Sequence, residues 1–326
     1  FDGASREVGS TVGTIGNADT TWETTTQTNV GVDFGILDGK IDVSLDWYTK
    51  NTTDLLLAVP IPATLVGPGK SQIRNVGEVE NTGIDIAIGA TIVKNDNFSW
   101  DSNLSMSFVK NKIVDLGLDP LGNTLEEIQG NFQSIDGQGR TWNVFQLGEP
   151  LGQIQGATFL GTWKTSEAAE AAQFGAVPGD AKYLRDANGD RVISVIGNGT
   201  PTMLWGWNNT LAYKDWDLNF FFQGSHGNDM LNAFKGTIVG ATGNQRSYCH
   251  PMQLNQWTTS NEKDIPATGE NDYGSSRYIE NGGFVRLANL NIGYTFNDVK
   301  GFDSIKVYAG GQNLFLITDY EGYDPE

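Results

Sequence analysis

Apolar and polar side chains alternate along much of this chain, most steeply near its end. From Arg286 onward, Arg286, Ala288, Leu290, Ile292, Tyr294 and Phe296 are expected on one face. Leu287, Asn289, Asn291, Gly293 and Thr295 are expected on the other. A period of two predicts a strand with one apolar and one mostly polar face. Residues 297–301 hold the Asn, Asp and Gly of a turn. Beyond it Ile305, Val307, Ala309 and Gly311 alternate with Lys306, Tyr308, Gly310 and Gln312, ending in Asn313, Leu314 and Phe315. The segment therefore reads as a long hairpin.

The same unit recurs upstream. Val30, Val32 and Phe34 alternate within residues 27–35. The short-hairpin signal Asp38-Gly39 follows, and then Ile41, Val43, Leu45 and Trp47 oppose Asp42, Ser44, Asp46 and Tyr48. Ile84, Ile86, Ile88, Ala90 and Ile92 alternate with Asp85, Ala87, Gly89 and Thr91. A turn at 95–97 leads to Leu104, Met106 and Phe108. Residues 203–213 and 216–223 form another pair across Lys214-Asp215. The count comes to about ten strand candidates. Two settings produce such hairpins: a soluble sandwich, with the apolar face in a core, and a membrane barrel, with that face in lipid and the polar face on a watery lumen. Trp47 and Tyr48 near a strand end suit an interfacial aromatic girdle or a sandwich rim.

Between the hairpins the pattern dissolves. Residues 58–72 carry Pro60, Pro62 and Pro68 and read as a loop. Within them VGPGKS is a poor match to a phosphate-binding loop, since Thr64 stands where the first glycine belongs and no helix pattern follows. Residues 116–152 and 228–276 are long and irregular, which points to functional or disordered connections. In the membrane-barrel setting long connections face outward, which would put the first of these outside the cell. Trp142, Phe145 and Trp163 sit in or just after it, as candidates either to pack or to stack on sugar rings or peptide side chains. Residues 166–174 suggest a short helix capped by Ser166.

The chemistry that the sequence offers is sparse. Asp186, Asn188 and Asp190 match the opening of a calcium loop, with oxygen ligands at alternate positions. The sixth position is Arg191 and the twelfth Gly197, so the usual glycine and bidentate carboxylate are missing. A bound Ca2+ and a plain Asx turn both remain open readings. The single cysteine, Cys249, excludes an internal disulfide, and Cys249–His250 reads as an incidental loop pair. Ser225 and His226 are sequence neighbours on no nucleophile elbow and read as a turn. With two histidines and no acid/base pair, no enzyme activity is expected.

Composition narrows the class. The 326 residues include 41 glycines, with 11 % aromatic and 18 % charged residues, which suits a turn-rich β-protein. No run approaches the roughly 18 apolar residues of a membrane helix, but a barrel strand needs only alternate apolar positions. The formal net charge of −18 argues against a nucleic-acid partner.

Several phrases, in order, carry a resemblance: WETTTQTNVGVDFGILDGKIDVSLDWYTKNTTDLLL, NVGEVENTGIDIAI, FSWDSNLSMSFVKNKIVDL, the GD-x-K-Y-x-D-x-N-G-D-like run at 179–190, FVRLANLNIGYTF and VYAGGQNLFLITDYEGYDPE. Together they resemble the β-barrel of SusC-type TonB-dependent transporters (the SusC/RagA family), the nutrient importers of Bacteroidetes outer membranes. The resemblance implies an all-β fold, an antiparallel transmembrane β-barrel of about 22 strands with a plugged lumen. Residues 1–326 would belong to that single barrel domain, with the plug and the TonB box before Phe1 and the closing strand after Glu326. It also implies import of bulky oligosaccharides or peptides, a SusD-like surface lipoprotein as lid, TonB as energy source and outer-membrane lipid around the wall. A siderophore or cobalamin transporter of the same fold fits these phrases less well. The alternative of a different class is a secreted, soluble β-protein that binds glycans through loop aromatics. The two differ in what covers Val43, Ile86, Leu290 and Val307.

Overall fold

The computed structural model describes residues 16–60, 71–119, 122–130, 135, 140–233, 235, 254–267 and 274–326. Eight long strands form one antiparallel sheet in chain order: β1 (Thr24–Ile36), β2 (Ile41–Thr53), β3 (Glu78–Lys94), β4 (Phe98–Asp115), β5 (Met203–Tyr213), β6 (Trp216–His226), β7 (Phe284–Asn297) and β8 (Ser304–Thr318). Among the described residues the wall has eight strands, against the ten or so candidates that the pattern suggested. The remaining strands pair off in short two-stranded ribbons within the connections.

Short and long connections segregate. The four short ones, 37–40, 95–97, 214–215 and 298–303, join strands at one end of the sheet. The three long ones, 54–77, 116–202 and 227–283, lie at the other. Each short turn has a local cause. Leu37, Asp38 and Gly39 all adopt left-handed backbone, with φ of 55°, 56° and 76°, a run that Asp and Gly tolerate. At 95–97 the Asn95 carboxamide oxygen accepts the amides of Asn97 and Phe98, at 3.0 and 2.9 Å, the geometry of an Asx turn.

Register places the apolar residues in continuous rows. Val32 faces Leu45, Leu45 faces Ile86, Ile86 faces Met106 and Met106 faces Trp205. Nearer the short turns Trp100 faces Leu211, Leu211 faces Leu218 and Leu218 faces Ile292. No further layer of described residues covers this face. Val43, Ile86 and Leu290 are half-exposed, and Val307 is 57 % exposed.

One expectation fails within β7. Asn289 pairs with Phe221, but the next pair is Leu287 with Phe222, so Ala288 is an extra residue. Across β8 the same irregularity pairs Asn289 with Gln312 and Leu287 with Phe315, and Asn313 there takes a φ of 50°. A bulge of this kind exchanges the faces of everything beyond it. Leu287 and Val285 therefore join Leu290 on the apolar face. Arg286, expected there, turns to the polar face opposite Gln223.

The buried clusters lie in the long connections and where these meet the ends of β3 and β4. Val79, Ile113 and Leu116 gather Leu55, Leu57, Leu125, Ile128, Phe145, Leu147 and Leu151 around them. Ala157, Ala181 and Tyr183 form a second cluster with Phe159 and Ile193. The expected helix is shorter than its pattern and differently capped. A 3-10 turn at Thr165–Glu167 leads into α1 (Ala168–Gln173). Glu167, rather than Ser166, satisfies the entry by accepting the Lys164 amide at 2.9 Å.

Candidate functional site

The polar face of the sheet is a surface of carboxylates, amides and hydroxyls. Asp46 of β2 and Asp85 of β3 are direct cross-strand partners. Like charges so placed repel, and neighbouring hydroxyls share the load: Ser107 donates to Asp85 at 2.6 Å and Ser44 to Asp46 at 3.3 Å. Farther along, Asn219 donates its amide to the Asn208 side chain at 3.1 Å. Near the short turns Lys306 of β8 reaches Asp217 of β6 at 2.7 Å, spanning β7. That contact exists because Gly293 lies beneath it; a Cβ there would stand 2.7 Å from both the Asp217 carboxylate and the Lys306 chain. A cavity of about 480 Å³ lies against this face, lined by Asp46, Asp85, Ser107, Phe221, Gln223 and Glu326 among others.

The apolar face is ordered differently. Trp216 meets Tyr294 edge-on at 4.7 Å, and Tyr294 meets Phe296 likewise, close to the short turns. Toward the long connections stand Trp205, Trp207, Phe222 and Phe315. From Trp100 to Phe108 the apolar row runs about 26 Å along β4, at roughly 3.3 Å per residue. A facing pair of polar side chains, Ser102 of β4 and Asn209 of β5, interrupts it. Asn209 is fully covered and accepts the Trp100 indole N–H at 2.9 Å, while the Trp207 indole donates to Ser102 at 2.9 Å. Indole N–H groups here cap the polar atoms that sit among apolar neighbours.

The long connections build a cap of short ribbons. Leu56–Pro60 pairs with Ser71–Asn75, Glu127–Gln129 with Val144–Gln146, Gln153–Ala157 with Ile193–Asn198, Phe159–Thr162 with Ala181–Tyr183, and Asp229–Leu231 with Ile279–Asn281. The aromatic candidates for sugar stacking pack instead. Trp142 is buried and Phe145 lies in the first cluster. Trp163 is 1 % exposed, stacked on Phe174 at 6.0 Å with the Lys182 ammonium 4.2 Å from its ring centroid. Arg191 lies over Tyr183 at 4.1 Å and Arg185 over Phe174 at 4.4 Å. Such cation–π contacts weigh more when desolvated. Ion pairs tie the ribbons: Lys164 to Asp264 at 2.6 Å and Lys182 to Glu167 at 2.7 Å. The Lys164 ammonium holds Asp264 below the usual carboxylate range, and Lys182 does the same for Glu167.

Asp186, Asn188 and Asp190 come together in a tight turn. The Asp186 carboxylate accepts the amides of Asn188 and Asp190, both at 2.9 Å, and the Asp186 amide donates to the Asp190 carbonyl at 2.9 Å. These are the bonds of an Asx turn. They hold Asp186 below its ordinary pKa, the Asp190 amide contributing most. Asp186 and Asp190 border a polar cavity with Arg140 and Arg191. Among the described residues no three His, Cys, Asp or Glu side chains gather into a metal site. Ser225 and His226 end strand β6 rather than forming a turn, which begins at Gly227 with a φ of 83°. His226 stacks on Trp205 at 6.4 Å and Ser225 donates to Asn228 at 3.3 Å, so the pair makes no catalytic contact. Cys249, His250 and residues 66–70 of VGPGKS lie outside the described residues.

Two charged groupings escaped the sequence pattern. Lys235 pairs with Glu280 at 2.7 Å and with Glu321 at 2.6 Å. Burial pulls the Lys235 pKa down, but its two carboxylate partners more than offset this and raise it. Burial pushes Glu280 up, and the bonds from Lys235, Asn232 and the Glu321 amide outweigh that and keep it low. Arg286 pairs with Asp324 at 2.5 Å and Glu326 at 3.3 Å. The partners are 38 to 86 residues apart, and only the Ala288 bulge turns Arg286 toward them.

Known proteins share this architecture. The chain is 36 % identical to TonB-dependent receptor P26 of Formosa agariphila over 98 % of its length, which is 33 % of that relative. It is 27 % identical to TonB-dependent receptor SusC of Bacteroides thetaiotaomicron over 95 % of its length and 30 % of that relative. The chain thus spans about a third of the curated relatives it matches. Its fold matches a chain of the RagAB peptide transporter with a TM-score of 0.79 at 24 % identity, over 97 % of this chain and 34 % of that one. The family model described as TonB dependent receptor-like, beta-barrel matches residues 2–314, and the chain belongs to that family.

Proposed function

We propose that this chain forms part of the wall of a SusC-like outer-membrane importer for bulky nutrients, oligosaccharides or peptides. In this reading the apolar face of β1–β8 meets lipid, the polar face lines the lumen, and the cap of long connections stands outside the cell. A SusD-like lipoprotein serves as the lid and TonB supplies energy. Residues 1–326 are one stretch of a single barrel domain of about 22 strands, whose remaining wall strands would pair with the edges of β1 and β8 while the plug fills the lumen.

One observation carries the reading: a continuous apolar face over which no layer of described residues lies, backed by a polar face across the same strands. Soluble proteins rarely leave so large an apolar patch in water, so the secreted glycan-binding alternative has no place to put this face. The relatives named TonB-dependent receptor and SusC add support.

The test is fractionation followed by uptake. The intact protein is expected in the outer-membrane fraction and to need detergent for extraction. Cells lacking it are expected to lose uptake of one labelled class, oligosaccharide or peptide, as do wild-type cells treated with a protonophore. Release as a soluble monomer without detergent would overturn the assignment.

A further inference from the structure

The segment after β8, residues 319–326, does not continue the wall. The Thr318 hydroxyl donates to the Gly283 carbonyl at 2.8 Å and then accepts the Tyr320 amide at 3.1 Å, turning the chain at the rim. From there it runs back over the polar face, so that Glu326 comes within 3.2 Å of Gln223 on β6 and borders the cavity shared with Asp46 and Asp85. Little apolar surface holds it. Tyr323 stands in solvent, and of the eight residues only Pro325 is buried.

Charge fixes it at two points. At the first, the Glu321 carboxylate meets Lys235 and the Glu321 amide donates to Glu280 at 2.9 Å. Asn232 completes this knot by donating to Glu280 at 3.0 Å. At the second, Asp324 and Glu326 both converge on Arg286, whose side chain is 7 % exposed while theirs are about half exposed. Arg286 is buried in the wall and Lys235 is partly buried in the cap; the anions that meet them from 319–326 are carried by the segment. Arg286 takes both of these carboxylates from the segment, so departure of the segment breaks both pairs at once. Most of the segment is exposed, the pattern of a low-stability element.

We propose that residues 319–326 are an ionic strap laid along the polar face of the wall over β7 and β6, that Arg286 and Lys235 are its two latches, and that breaking the Arg286 latch frees the strap from the polar face while the wall stays intact. This rests on the lumen assignment made above, but its test does not depend on transport.

The experiment is hydrogen exchange on the intact, membrane-embedded protein, resolved to peptides covering 304–318 and 319–326. Arg286→Asp is expected to speed exchange in 319–326 by about ten-fold or more, with β8 unchanged. The paired change Arg286→Asp with Asp324→Arg is expected to restore most of the protection. Unaltered exchange in 319–326 in Arg286→Asp, with the barrel folded by its heat-modifiable gel mobility, would overturn the proposal. Loss of protection spreading through β8 would also overturn it, because Arg286 would then be a wall residue and not a latch.

Should Arg286→Asp fail to fold, the wild-type protein supplies the test in a pH series. The groups facing the strap are Arg286 on β7, Asp46 on β2 and Asp85 on β3 across the shared cavity, Lys235 and Glu280 in the cap, and the strap's own Asp319, Tyr320, Glu321, Tyr323, Asp324 and Glu326. Asp324 and Glu280 have lowered pKa values, so their contribution is complete above about pH 4.5 and fades as pH falls through the lowered values. Corrected for intrinsic rates, protection of 319–326 is expected to persist at pH 6 and to fall below pH 4 before that of β8. A strap that opens only together with β8 would count against it.

Discussion

In the sheet, Val32, Leu45 and Val307 stand uncovered, while in the connections Trp142, Val144 and Trp163 are buried as tightly as any core residue. The same residue types meet opposite fates in one chain. The wall puts its apolar side chains on one face and satisfies its backbone by strand pairing, which is what hydrocarbon demands. The cap folds its aromatics inward and pins them with Lys182, Arg185 and Arg191, which is how a small domain survives in water. The wall is thus built for two media at once, and the cap for one.

Substitutions that tell the two regions apart sharpen this contrast. The largest effect is expected from Trp163→Ala, a truncation that costs about 3–5 kcal/mol at a buried site. It should open the cap to protease between 153 and 199 while leaving the heat-modifiable mobility of the barrel unchanged; loss of both would mean that wall and cap fold as one. Next, Ile86→Arg on the apolar face is expected to destabilise insertion into vesicles by about 2–4 kcal/mol, as for arginine near a bilayer midplane. Its neighbour Ala87→Arg, on the polar face, should change stability by less than about 0.5 kcal/mol. Equal effects at 86 and 87 in a denaturant titration would remove the distinction between the faces.

Acid is expected to act on the cap first. Asp264 and Glu167 have lowered pKa values through Lys164 and Lys182. Their contribution is therefore full above about pH 4.5 and is lost as pH falls through the lowered values. Cap proteolysis rising below pH 4, with the barrel's far-ultraviolet spectrum constant, is the expected record. The smallest effect concerns the Asp186 turn. Asp186→Ala removes two acceptor bonds and should increase nicking within 184–192. A chelator added to the wild type should leave that nicking unchanged, because the turn closes on its own amides. Protection by added calcium would instead favour the cation reading of Asp186, Asn188 and Asp190.

How much of this was legible follows from the physics of each signal. Long strands such as β3 and β4 announce themselves, because period two repeated over many residues is hard to produce otherwise. The bulge at Ala288 was hidden, since a single inserted residue leaves apolar neighbours on both sides and only reverses their meaning. The hint lay in Arg286 itself, a cation assigned to a greasy row. Three-residue ribbons such as Glu127–Gln129 are too short to show any period. The Lys235 and Arg286 ion pairs join positions far apart in the chain, which no local pattern encodes. The Asp186–Asp190 turn was readable because its bonds are local.

The separation of short and long connections has a further consequence. Residues added within 116–202 or 227–283 enter beyond the last rung of the ladder and leave every pairing below them in place. One rim is therefore free to vary in length and sequence over evolutionary time. At the other, a single added residue in 214–215 would shift β5 against β6 and turn the wall's greasy side toward its own channel.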